Sequence, residues 1–337
     1  MATKVLILTT QPPHEIRAEW PYYQNWTLPQ RLEERGALVT KQSWRDPNLT
    51  ADSLASFHVV TFLWANNYHM HAIPFTTFLQ DVILPAQTRY PHLRVVNDGN
   101  LILWNVDKQA YLQDLAKAGF QVPETAFVNV SKERPDDAID QVRRQLANWE
   151  SGKGPLVLKP SISGSSKGTH LVRNPNQLSA SDEAYLASAA RDGIDGALMI
   201  QAYEAGIEAG EYSLIFIAGQ HTHSMLKTPA KGEFRCQAEF GGGIRELKSG
   251  EIPKSASEVA WKCVRYMEER FLAPGGPQGL PYMRVDGVMR EDGEFVIMEL
   301  EGIEPHLWIE TAEDASCGEL MYGCLLEANK ANGHAVS

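Results

Sequence analysis

The chain has 337 residues, 43% of them hydrophobic, enough for two or three packed domains with sizeable cores. Its formal net charge of −11 supplies neither a phosphate-neutralising surface nor attraction to anionic lipid, which argues against a nucleic-acid or membrane partner. The four cysteines, Cys236, Cys263, Cys317 and Cys324, form no CxxC pair, the opening apolar run is too short for a signal-peptide core, and no stretch reaches membrane-spanning length, so a cytoplasmic protein with reduced thiols is expected.

The first hundred residues alternate strand and helix. "KVLILTT" from Lys4 reads as a buried parallel strand, and "LPQRLEERGALVTKQSW" as a helix ending at Gly36 with a second strand after it. "FHVVTFLW" is a third strand, "FTTFLQDVILPAQTRY" a helix, and "RVVN" from Arg94 a fourth strand. This is the pattern of an open α/β domain, and the missing GxGxxG after the first strand argues against a dinucleotide site. A helix with Tyr111, Leu112 and Leu115 on one face follows, stopped by Gly119, with a strand opening at Pro123. "PDDAIDQVRRQLANWE" reads as a polar-faced helix, "LVLK" and "GALMIQAY" as strands, and "EYSLIFIAGQHTHSMLKTP" as a hairpin turning at "AGQ". "SASEVAWKCVRYMEERF" is a long amphipathic helix, "YMRVDGVMREDGEFVIMELEGIEP" a hairpin turning at "EDGE", and 313–330 a last helix before a frayed "NGHAVS" tail. This second half is α+β, and a site is expected where the unlike halves meet.

Three constellations carry chemistry. In "LVLKPSISGSSKGTHLV" a strand ends at Lys159 and a run of small residues follows, with Lys167 inside it. Glycine and serine let backbone N–H groups approach an anion closely, so phosphate is the natural ligand, although the order is not that of a Walker A loop. A solvated strand-to-strand loop is the plain alternative. In the last hairpin Asp286 lies on one strand, and Glu299 and Glu301, two apart, share a face of the other. Carboxylates gathered on a largely apolar hairpin repel unless a cation sits among them, and hard oxygen ligands beside substrate phosphates describe a Mg²⁺ site. Arg284 shares the face of Asp286. Third, Lys227, Lys231 and Arg235 gather near the end of a strand pair, with Lys231 more simply a surface residue. The "HMH" and "HTH" triplets place no third or fourth metal ligand, and no GxSxG supports serine hydrolysis.

Taken in order, these motifs resemble the ATP-grasp enzymes from about Asn97 to Pro305. "NVDKQAYLQDLAKAGFQVPET" resembles the lead-in whose lysine touches the nucleotide, here Lys108. "LVLKPSISGSSKGTHLV" resembles the second lysine, Lys159, and its phosphate-covering loop with Ser163, Gly164, Ser165, Ser166 and Gly168. "LMIQAYEAGIEAGEYS" resembles the hinge strand that holds adenine through backbone groups, here Gln201, Ala202 and Tyr203, with Glu211 at the ribose-binding acid. "RVDG" and "MELEGIEP" resemble the magnesium hairpin, giving Asp286, Glu299 and Glu301. Gln201 stands where an acid is common, Glu301 where asparagine is common, and "FLWANNYHMH" where an arginine-bearing strand end is expected. "KTPAKGEFRCQAEFGGG" with "ELEGIEPHL" looks most like the branch of the D-cycloserine-forming ligase and the ribosomal-protein glutamate ligase.

The resemblance implies an ATP-grasp fold in three parts: an N-terminal α/β domain over 1–103, a central α+β subdomain over 104–200 and a C-terminal α+β subdomain over 201–337. It implies ATP-dependent joining of a carboxylate to an amine or other nucleophile through an acyl phosphate, giving ADP and phosphate, on a small amino-acid-like substrate, with ring closure within one molecule left open. Lys108 and Lys159 would hold the α/β-phosphates, Lys227 would lie near the adenine or the phosphates, Arg284 would stabilise the acyl phosphate, and Arg235 a substrate carboxylate or the transferring group. Two Mg²⁺ ions, replaceable by Mn²⁺, would sit on the three acids. A homo-oligomer is left open. A phosphotransferase on the same fold and a non-catalytic nucleotide-binding module remain alternatives.

Overall fold

A computed structural model describes residues 2–16, 25–130, 135–149, 154–236, 240–272 and 279–326. The tail "NGHAVS" and the end of the last expected helix lie outside these residues.

The N-terminal part runs β1 (Lys4–Thr9), α1 (Leu28–Glu34), β2 (Leu38–Ser43), α2 (Ala51–Leu54), β3 (Val59–Trp64), α3 (Ala72–Phe78), α4 (Leu84–Arg89), β4 (Arg94–Val95) and α5 (Gly99–Asn105). Its four strands form a parallel sheet ordered β2-β1-β3-β4. β1 and β3 are apolar along almost their whole length because helices or chain cover both faces.

Next come α6 (Lys108–Lys117), β5 (Thr125–Val128), α7 (Pro135–Ala147), β6 (Leu156–Pro160), β7 (His170–Val172), α8 (Ala180–Asp192) and β8 (Leu198–Ala202). The strands form an antiparallel sheet ordered β5-β8-β6-β7, with α7 and α8 packed on one face around Val142, Leu158, Leu186 and Ile200. α8 opens with a capping box in which Ser179 and Asp182 exchange hydrogen bonds.

The remainder runs β9 (Glu211–Ile217), β10 (Gln220–Thr228), β11 (Gly243–Glu246), α9 (Lys254–Phe271), β12 (Tyr282–Met289), β13 (Phe295–Glu301) and α10 (Ser316–Leu326). A five-stranded antiparallel sheet, β11-β10-β9-β12-β13, organises it. One face carries Leu214, Phe216, Met283 and Val285 and packs on α9, α5 and α6. The other face is divided. Ile215, Ile217, Met225 and Tyr282 meet the N-terminal sheet through Leu307, Trp308 and α10. The opposite end of that face is polar, and there the candidate site lies.

Candidate active site

The polar end is set by strand register. Lys227 on β10 stands opposite Glu211 on β9, Asp286 on β12 lies between Ser213 and Glu299, and Arg284 lies opposite Glu301 on β13. Strict alternation along β13 would have failed here. Phe295 and Ile297 face the core, so a period of two would turn Glu299 and Glu301 into it as well. The pairing slips between Asp286–Glu299 and Gly287–Ile297, which makes Met298 an extra residue. This bulge passes the core position to Leu300 and turns both glutamates to the site face. Gly287 makes it feasible, since a Cβ there would overlap the Phe295 ring and the Val296 carbonyl.

These charges are tightly paired. Arg284 donates from Nε and Nη2 to Asp286 at 2.8–3.1 Å, from Nη2 to Glu301, and from Nη1 to the His306 carbonyl at 3.1 Å. Asp286 also accepts from Ser213 Oγ at 2.7 Å and Lys227 Nζ at 3.0 Å, and Lys227 pairs with Glu211 as well. Burial opposes the charge on Asp286, but Arg284 and Lys227 overcome it and hold this carboxyl well below the usual range. Burial opposes the Lys227 ammonium too, and Asp286 with Glu211 holds its pKa above the usual value. Glu211 goes the other way, because its burial outweighs Lys227. At Glu301 burial, with Asp286 and Glu299 adding to it, outweighs Arg284 and pushes the pKa up to about 7.

The second set of groups faces this cluster. Lys108, the first residue of α6, donates to the Ser163 carbonyl at 2.7 Å and pairs with Glu299 at 2.9 Å. Burial penalises the Glu299 carboxylate, yet Lys108 and Lys159 keep its pKa below normal. Lys159, near the end of β6, has no side-chain hydrogen bond or ion pair among the described residues, and burial holds its pKa down despite Glu299.

The loop between β6 and β7 bends sharply over these lysines. Ser165, Ser166 and Gly168 have φ of 49°, 53° and 71°, left-handed values that cost non-glycine residues about 1–2 kcal/mol each. Its near end is tied by Ser163 Oγ to the Pro160 carbonyl at 3.0 Å. Its far end is tied by Tyr185 Oη on α8, which donates to the Gly168 carbonyl at 2.7 Å. The Tyr185 ring stacks on His170 at 4.8 Å, and His170 Nε2 lies 2.6 Å from Asp182 Oδ1. At the crest, Gly164 meets the His69 ring so closely that a Cβ would come within 2.8 Å of it. Burial, then Lys108 and Lys167, push His69 down to about 4, so it is neutral beside two lysines at pH 7.

Lys108, Lys159, Ser163, Glu211, Lys227, Arg284, Asp286, Glu299 and Glu301 are thus gathered by the fold. Other expected residues are placed less simply. Gln201 Nε2 donates to Thr125 Oγ1 at 3.0 Å, and the Ala202 and Tyr203 amides donate to the Glu124 and Pro155 carbonyls. Those two amides are used by the chain itself and are not open to a base. Arg235 pairs bidentately with Glu233 at 2.7–3.0 Å and lies over the Phe240 ring at 3.6 Å. The three expected metal-ligating acids share one region without converging, because each is turned to a cation. Among the described residues no three acidic, histidine or cysteine side chains meet as a metal cluster. The "HTH" histidines likewise make ordinary hydrogen bonds, His223 to Thr222 and the Leu307 carbonyl.

Tyr68 and Glu304 join the site without being singled out by the sequence, and His69, considered there only as part of the "HMH" triplet, joins as the neutral neighbour of the loop. Tyr68 lies in "FLWANNYHMH", where an arginine-bearing strand end is expected. Glu304 lies in "EGIEP", where a third acid after Glu299 and Glu301 was the available signal.

Comparison with known proteins follows the same geometry. No family model matches the chain. A solved D-cycloserine synthetase, DcsG, superposes with a TM-score of 0.71 over 97% of this chain and 100% of its own, at 22% identity. The ATP-grasp ligase PsnB superposes at 0.59 over 98% of this chain and 100% of its own, at 17% identity. The chain shares the fold of these ligases. Among curated relatives, a probable alpha-L-glutamate ligase of Maridesulfovibrio salexigens is 26% identical over 223 residues, 64% of each chain. A D-alanine–D-alanine ligase of Nitratidesulfovibrio vulgaris is 26% identical over 278 residues, 80% of each chain. The matched region is thus less than two thirds of the glutamate ligase's length. The loop-bearing sheet β5-β8-β6-β7 faces the carboxylate-bearing end of the five-stranded sheet, with Lys108 joining the Ser163 carbonyl of the loop to Glu299. No helix among the described residues is long and apolar enough to cross a membrane.

Proposed function

We propose that the chain is an ATP-dependent carboxylate–amine ligase that works through an acyl phosphate. The carrying observation is the asymmetry of the cluster: a half-buried Lys159 with no hydrogen bond or ion pair among the described residues beneath a glycine–serine loop, facing carboxylates held in place on one strand pair. The ligase names of its relatives support the reading. In this reading the chain divides at about 103 and 200 into substrate-side, central and C-terminal parts.

The chemistry follows from charge. A substrate carboxylate oxygen attacks the γ-phosphorus of ATP, and the bond to the β–γ bridging oxygen breaks, releasing ADP. An amine then attacks the acyl carbon, loses a proton and expels phosphate. Lys108 and Lys159 bind the polyphosphate, and Arg284 faces the anhydride as charge develops. The donor set fits Mg²⁺, since Glu299 and Glu301 offer hard carboxylate oxygens beside Asp286 at the site end of the β12–β13 pair. These two, with Asp286 held behind them, would bind it, and bound Mg²⁺ would neutralise phosphate charge. The 161–169 loop excludes water from the anhydride. Glu211 would hold the ribose of the nucleoside.

The test is phosphate release from ATP and Mg²⁺ with paired amino acids. Release should require an acid, and Glu299→Gln should lower it at least 100-fold while ATP still binds. Release that ignores the acid, or survives in the mutant, contradicts the ligase reading. A stable phosphorylated product with no free phosphate would show a phosphotransferase.

A further inference from the structure

Residues 302–307 follow β13 with no regular secondary structure, yet other parts of the chain grip nearly every carbonyl in them. Asn97 Nδ2 donates to the Gly302 carbonyl at 2.8 Å, Tyr282 Oη to Ile303 at 2.9 Å, and Asn25 Nδ2 to Pro305 at 3.1 Å. Arg284 Nη1 reaches His306 at 3.1 Å, and the His223 ring reaches Leu307 at 2.7 Å. A loop fixed by five separate side chains presents its own side chains rigidly, which is how a recognition group is kept ready.

The side chain presented at the centre is Glu304. It is half-buried and within electrostatic reach of Glu301, Arg284, Tyr282 and Tyr68. No hydrogen bond or ion pair satisfies its carboxyl among the described residues, and the Tyr68 hydroxyl beside it has no hydrogen-bond partner there either. The charges of the cleft show why this matters. Glu211, Asp286, Glu299 and Glu301 each have a lysine or arginine partner. Lys159, on the Lys108–Glu299 side, is a cation without an anion. Glu304, on the Arg284–Glu301 side, is an anion without a cation. Burial, with Glu301 adding and Arg284 opposing, pushes Glu304 up to about 8, as expected of a carboxyl short of a counter-ion.

We infer that Glu304, with the Tyr68 hydroxyl beside it, receives the cationic group of the substrate, so that the acid this chain activates is a zwitterion with its ammonium on Glu304 and its carboxylate turned toward Arg284 and the nucleotide. The inference rests on the ligase reading and names the residue that selects the acid. A buried carboxylate left without its partner strongly disfavours a ligand that cannot supply one.

The experiment uses the full chain, wild type against Glu304→Gln and Glu304→Asp. The probes are the D- and L-forms of alanine, serine and glutamate, each beside its 2-hydroxy counterpart. ADP formation is followed with saturating ATP and Mg²⁺, and thermal stabilisation with ADP and Mg²⁺. The wild type should prefer the amino over the hydroxy form at least tenfold. Glu304→Gln should raise KM for the amino form at least tenfold and erase the preference, with KM for ATP unchanged, and Glu304→Asp should restore part of it. Wild-type preference retained in Glu304→Gln, equal use of hydroxy acids by the wild type, or a changed Mg²⁺ requirement in place of a changed preference would each overturn the assignment. If ATP binds but no acid yields ADP, the ligase reading fails. The stabilisation then decides on Glu304 separately: amino-specific stabilisation lost in Glu304→Gln upholds it, and none with any acid overturns it.

Discussion

Two regions face each other across the cleft, and they are finished to different degrees. On the strand side the acids of β9, β12 and β13 that face the site each have a cationic partner: Asp286 takes hydrogen bonds from Arg284, Lys227 and Ser213. On the loop side Lys159 is half-buried and has no hydrogen bond or ion pair among the described residues, under a turn that relies on left-handed serines. The first region is a scaffold that keeps its geometry without ligand. The second stores an unsatisfied charge that a polyphosphate would satisfy. The fold thus separates what must hold still from what must wait.

Substitutions should break this contrast in opposite directions. Arg284→Ala should be the most damaging to the folded state, costing about 3–5 kcal/mol in denaturant unfolding, because it strips a buried carboxylate of its main partner. Lysine should not restore it, since three donors of one guanidinium bind Asp286, Glu301 and the His306 carbonyl at once. Gly287→Ala should cost about 1–3 kcal/mol through overlap with Phe295, and should remove activity by disturbing the bulge that turns Glu299 and Glu301 to the site. Lys159→Met should have the reverse signature: ATP affinity at least tenfold weaker, with stability in the same denaturant series unchanged or higher by about 0.5–1 kcal/mol.

Subtler changes sharpen the comparison. Tyr185→Phe removes the hydroxyl that ties the Gly168 carbonyl, worth about 1 kcal/mol. Ligation per ATP consumed should fall while ADP formation persists, because a loosened loop admits water to the anhydride. The smallest effect is a pH dependence. An acid whose pKa rises on folding stabilises fully below its unfolded value near 4.5 and loses that contribution as pH climbs through its folded value, about 8 for Glu304. The ligand-free wild type should therefore lose thermal stability between about pH 4.5 and 8, and Glu304→Gln should lose less by roughly 2–4 °C. Equal slopes would show that Glu304 is not perturbed.

What the sequence disclosed follows the same divide between local and distant information. Strand alternation, the two hairpin turns and the lysine-ending strand are local patterns, and they led to Lys159, Asp286, Glu299 and Glu301. The reason the glutamates face the site was not legible, because nothing in "FVIMELE" marks Met298 as the extra residue of a bulge. Arg235 drew attention by sitting in a basic run, whereas its neighbour Glu233 neutralises it. Tyr68 and Glu304 were missed because more than two hundred residues separate them and neither lies in a periodic element. Their proximity is a product of tertiary packing through Asn25, Asn97 and Tyr282, which no spacing rule records.

The central claim is that an acyl phosphate forms in this cleft. Hydroxylamine intercepts such an anhydride as a hydroxamate, so the most direct measurement is hydroxamate formation from ATP, Mg²⁺ and a panel of amino acids, wild type beside Glu299→Gln. The account predicts acid-dependent hydroxamate equal to the ADP released in the wild type, and at least a hundredfold less in the mutant. ADP released in full with no hydroxamate from any acid would contradict it.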